Sequence, residues 1–123
     1  MDIIYPSVEN IIDANKKAIE LLRATKSEKH ELLASKEALQ AIINKAVEIK
    51  GNIKKKAATL MSEINRRHLF GSANKRTSFI VACDFMLANS GILPLKKKED
   101  VKFLIEVREG KRSIEEIERW LDA

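Results

Sequence analysis

His68-Leu69-Phe70-Gly71-Ser72-Ala73-Asn74-Lys75-Arg76-Thr77 is the stretch around which the chain organises. It reads as a helix end, a turn of small residues and a helix start. Upstream, Ile53, Ala57, Leu60, Met61 and Ile64 recur at helical spacing and predict a helix from about Asn52 to Leu69. Downstream, Phe79, Ile80, Cys83, Met86 and Leu87 do the same from about Asn74 to Asn89. Ser90-Gly91 ends that second helix, and Pro94 forbids a quick restart. These two helices carry the longest apolar faces, so they are expected at the centre of the fold.

The same punctuation extends outward. Ser7 can cap a first helix in which Val8, Ile11, Ile12, Asn15, Ala18, Ile19 and Leu22 share a face. The polar stretch from Arg23 to Lys29 separates it from a second helix, about Ser35 to Lys50, with Leu39, Ile42, Ile43, Ala46 and Val47 on one side. A fifth helix covers about Lys98 to Arg108 and stops at Gly110. The last is signed by the capping box Ser113-Ile114-Glu115-Glu116 and ends near Leu121. The glycines at 51, 71, 91 and 110 have unlike flanks, so they mark helix ends rather than a repeat. No short β-branched stretch is followed by a two-residue hairpin turn. The expected architecture is all-α: one compact domain of about six helices over residues 1–123.

Composition agrees. Of 123 residues, 45% are hydrophobic and 33% charged, too apolar for a disordered chain. The single cysteine, Cys83, excludes an internal disulfide framework and a four-cysteine zinc site, and its apolar helix face marks it as core rather than nucleophile. No apolar run approaches the ~20 residues that span a bilayer. MDIIYPSVEN has neither a basic n-region nor a long apolar core, so no secretory signal and no membrane partner are expected, and the cytoplasm is the expected location. The net charge of +5 is concentrated. Residues 51–76 carry Lys54, Lys55, Lys56, Arg66, Arg67, Lys75 and Arg76 against one acid, Glu63. Such a field favours anionic partners: phosphate, nucleotide or nucleic acid. The lysines are expected on the outer face of the third helix.

The turn itself carries the chemistry. Small residues let a ligand approach the backbone closely. The first N–H groups of the following helix have no intrahelical acceptors and sit at the positive end of its dipole, which suits an anion. Lys75 and Arg76 add two full charges, and arginine can grip phosphate through two parallel hydrogen bonds. His68 precedes the turn and has the intrinsic pKa of a general base near neutrality. Phe70, apolar within a polar loop, is expected to anchor it to the core. Each residue also has a plain structural reading: His68 as a helix-end group, Asn74 as an N-cap, Lys75 and Arg76 as solvated charges. His30 has no partner at metal-ligand spacing, and Trp120 is expected to dock the last helix.

HLFGSANKRT resembles the signature of the Fic/Doc superfamily, whose Doc (death-on-curing) branch reads H-x-F-x-(D/N)-(A/G)-N-K-R-T. His68, Phe70, Ala73, Asn74, Lys75, Arg76 and Thr77 match it. Pro6 to Ile19, Lys56 to Asn65, Phe85 to Gly91 and Gly110 to Leu121 are similar to other parts of the family, and residues 23–50 are least alike. The AMP-transferring Fic branch continues G-N-G-R-x-x-R, whereas here Lys75 replaces the third glycine and Phe79 stands at the final arginine. The resemblance therefore implies a Doc-type toxin, a kinase that transfers the γ-phosphate of ATP to a threonine of translation elongation factor Tu, with a separate antitoxin covering its cleft. His68 would take the proton of the substrate hydroxyl. Gly71, Ser72, Ala73, Asn74, Lys75 and Arg76 would hold the phosphates.

The resemblance breaks at Ser72. The family has Asp, Glu or Asn there, and in active members the acid binds the Mg²⁺ that bridges the nucleotide phosphates. A neutral hydroxyl is a poor substitute for a carboxylate. A second implied reading is thus a member of the fold that binds nucleotide, phosphate or a protein partner without transfer. A third, from charge alone, is a nucleic-acid binder built on Lys54, Lys55, Lys56, Arg66 and Arg67. Nucleic acid is not the expected partner.

Overall fold

Six helices follow one another in the computed structural model, which describes residues 2–22, 30–93 and 100–122: α1 (Val8–Leu22), α2 (Lys36–Glu48), α3 (Ile53–Arg66), α4 (Asn74–Ser90), α5 (Val101–Arg108) and α6 (Ile114–Leu121). The chain is an all-α bundle, as its periodicity predicts. The Arg23–Lys29 stretch and Pro94 with Lys96, Lys97 and Lys98 lie outside the described residues.

The caps explain the boundaries. At α1 the Ser7 hydroxyl accepts from the Asn10 N–H (3.1 Å), while the Asn10 side chain accepts from the Ser7 N–H (2.9 Å). Ser35 caps α2 through the Ala38 N–H, and Asn52 caps α3 through the Lys55 N–H. Ser113 and Glu116 form the expected capping box on α6. Each satisfies donors that a helix start leaves without partners. At the far end of α4, Gly91 takes the left-handed conformation (φ 73°) that glycine adopts without a Cβ clash.

α3 lies in the middle, packed on α2, α4, α5 and α6, while α1 packs on α4 and α2. Residues Lys56 to Ser62 are buried without interruption, because neighbours surround this part of α3. The central position expected of α3 and α4 is therefore found. The outward lysine face is only partly found. Lys56 is buried, and its ammonium donates to the carbonyls of Ala46 (2.9 Å), Val47 (3.3 Å) and Ile49 (2.8 Å). These carbonyls end α2, where the helix dipole is negative and acceptors lack intrahelical partners. Tyr5 adds its ring face 5.5 Å from the same ammonium. Lys56 thus ties α3 to the end of α2, a role that local spacing could not reveal.

Aromatic packing seats the last two helices. Trp120 stacks on Phe103 (4.6 Å between centroids, 12° between planes) and meets Phe79 of α4 edge-on at 5.5 Å. The Arg112 guanidinium lies over Phe103 and pairs with Glu106 and Glu116. Trp120 docks the final helix, as expected, and Cys83 is buried in α4. Among the described residues the one extended pairing is an isolated antiparallel bridge between Leu32 and Phe70. It lies at the loop that carries the motif.

Candidate functional site

The loop between α3 and α4 is held from below by two buried apolar side chains. Leu69 is 1% exposed and Phe70 0%, so Phe70 is the anchor its sequence position suggests. Burial of this pair contributes on the order of 3–6 kcal/mol toward keeping the loop on the core. The backbone changes hand on both sides of it. His68 (φ 51°) and Ala73 (φ 62°) occupy left-handed conformations that cost a residue with a Cβ about 1 kcal/mol or more. Surrounding hydrogen bonds hold them there.

Asn74 supplies the first of those bonds. Its side-chain oxygen accepts from the Phe70 N–H (3.1 Å) and its amide donates to the Phe70 carbonyl (2.9 Å). This two-point clamp closes the loop across its own mouth. The N-cap of α4 is Ala73, not Asn74, and no side chain caps that end. The first turn of a 17-residue helix therefore begins at the loop without a capping oxygen. The Ala73 carbonyl accepts from both the Thr77 N–H (2.9 Å) and the Thr77 hydroxyl (2.7 Å).

A second set of bonds arrives from α1. Asn15 is completely buried, and its amide donates to the Ser72 carbonyl (2.9 Å) and to the Thr77 hydroxyl oxygen (3.1 Å). Its oxygen meets Nδ1 of His30 at 2.8 Å. An amide oxygen only accepts, so Nδ1 of His30 carries a hydrogen. The His30 ring also lies 5.8 Å from that of Phe70. The third support is the segment 31–34. Glu31 accepts at its carbonyl from the Gly71 N–H (2.8 Å), and Leu33 and Ala34 donate to the Leu69 carbonyl (2.9 and 3.1 Å).

The structure brings together all the residues expected at this site, because they are contiguous, but it divides them by task. His68 and Arg76 are exposed at the surface. Gly71 is exposed, while Ser72, Ala73, Asn74 and Lys75 are half-buried. The Asn74 amide is engaged with Phe70, so this residue shapes the loop. The Ser72 hydroxyl oxygen is buried and has no hydrogen-bond partner. Sequence reasoning missed Asn15, His30 and Glu31 as loop supports. Asn15 sat on an apolar helical stripe, and a buried Asn at such a position is the one local signal that polar work was done there. His30 and Glu31 had none, since their partners, Asn15 and Gly71, lie well beyond the reach of local patterns.

Much of the basic window is engaged elsewhere. Lys54 pairs with Asp122, and Lys56 closes α2. Arg67 (3.0 Å) and Lys45 (3.1 Å) share Glu63. Burial pushes the Glu63 carboxyl up, but the hydrogen bonds and charges of Lys45 and Arg67 outweigh it and hold it below the usual carboxylate range. Arg66 reaches toward the α5–α6 turn, where a Cβ on Gly110 would come 3.2 Å from its guanidinium.

Among the described residues no three His, Cys, Asp or Glu side chains gather as a metal cage. None of the described helices is long and apolar enough to cross a membrane. A groove of about 510 Å³ runs between the N-terminal segment, α1 and the second half of α4, lined by Tyr5, Asp13, Lys17, Val81, Asp84 and Phe85 among others. Its α4 residues lie roughly 10–20 Å along the helix from the loop, at ~1.5 Å per residue. No protein-family model matches the chain, and no curated protein matches it.

Proposed function

We propose that the α3–α4 loop holds the phosphates of ATP and that the chain is a Doc-type phosphotransferase, the cytoplasmic toxin of a toxin–antitoxin pair, acting on a hydroxyl of a translation elongation factor. The observation that carries this reading is the motif-bearing loop poised over a helix start with no side-chain cap, flanked by exposed Arg76 and His68. Such an end supplies aligned donors and a positive dipole for phosphate oxygens. Arg76 would add a charged, bidentate grip and Lys75 a second charge near it. His68 would accept the proton of the attacking hydroxyl as its oxygen bonds to the γ-phosphorus and the bond to the leaving ADP oxygen breaks. Rigid support from Asn15, Asn74 and Phe70 fits a reaction that depends on positioning and charge neutralisation. The engagement of Lys54, Lys56 and Arg67 weighs against a nucleic-acid surface.

Mg²⁺ is the implied metal and would supply charge neutralisation between the phosphates. Ser72 offers one buried neutral oxygen, short of the carboxylate such a site ordinarily includes. This favours the second reading, a protein that binds nucleotide without transfer, unless a carboxylate comes from elsewhere. Glu31 lies against the loop and is such a group.

Label transfer separates the two. The purified chain and Ser72→Asp are incubated with Mg²⁺, a cell extract and ATP labelled at the α- or γ-phosphate, with His68→Ala as the blank. Transfer of γ-label by the native chain upholds the kinase reading. Transfer of α-label moves the chain to the AMP-transferring branch. Label from Ser72→Asp alone means a disabled site that binds, and no label from either removes the phosphotransferase reading.

A further inference from the structure

No further inference is drawn: the strongest candidate, the groove between the N-terminal segment, α1 and the second half of α4, mixes Asp13 and Asp84 with Lys16 and Lys17 around an apolar lining, Val81 and Phe85, that is already buried, and nothing in the structure shows what covers it.

Discussion

Replacing Asn74 by Ala tests whether this residue serves the loop or the ligand. Its side chain makes two hydrogen bonds, to the N–H and to the carbonyl of Phe70, and Phe70 is 0% exposed. Water cannot easily reach the groups left behind. Each lost bond removes about 0.5–1.5 kcal/mol, and an unsatisfied buried group adds up to about 1–3 kcal/mol more. Partial relaxation of the loop offsets some of this, so the expected loss is about 2–4 kcal/mol. For a chain of this size, about 3–6 °C per kcal/mol places the fall in melting temperature at roughly 6–24 °C. Urea unfolding at unchanged m-value and thermal melting both read it. Nucleotide affinity should fall as well, through the loop. A variant that melts within about 2 °C of the native chain while losing nucleotide binding would refute the clamp and make Asn74 a ligand contact.

Three further outcomes follow from the geometry. Lys56→Met keeps the buried aliphatic stem but leaves the carbonyls ending α2 without their ammonium, and should cost about 2–4 kcal/mol in urea unfolding. A cost under ~0.5 kcal/mol shows that water replaces the ammonium. His68→Gly removes the left-handed strain at φ 51° and should raise stability by up to about 1 kcal/mol while abolishing label transfer; a destabilised variant assigns the imidazole a structural role. Glu63 ionises more readily in the folded chain than in the unfolded one. Its contribution is therefore complete above the usual carboxylate range of about 4–4.5, falls as pH drops through the folded value and is absent below it. Glu63→Gln should flatten the acid limb of the stability curve as pH falls below the usual carboxylate range, and an unchanged limb removes Glu63 from it.

Most of the fold was legible because helices announce themselves locally. Ser7, Ser35, Asn52 and Ser113 cap the ends that short-range patterns indicate, and the apolar stripes became the buried faces except at Val47 and Leu87, which end their stripes exposed. Lys56 shows where such reading stops. Next to Lys54 and Lys55 it looks like one more solvated charge, and only the arrival of the end of α2 makes it a buried cap. Asn74 shows the same limit in the site. Its position before a helix suggests an N-cap, yet the left-handed turn at Ala73 moves the cap back one residue and turns the Asn74 amide onto Phe70.

What the linear order of residues settles here is the number of helices, their ends and the loop that joins the two central ones. Spacing, caps and glycine stops act within a few residues, and the motif from His68 to Thr77 is continuous. The third dimension decides which groups hold that loop and what charge faces it. Asn15, His30 and Glu31 reach it from 40 or more residues away, because the packing of α1 on α4 and of the 31–34 segment on the α3–α4 loop leaves no trace in sequence spacing. A hydrogen bond or a neighbouring carboxylate depends on distance in space, and that distance exists only once the core has closed.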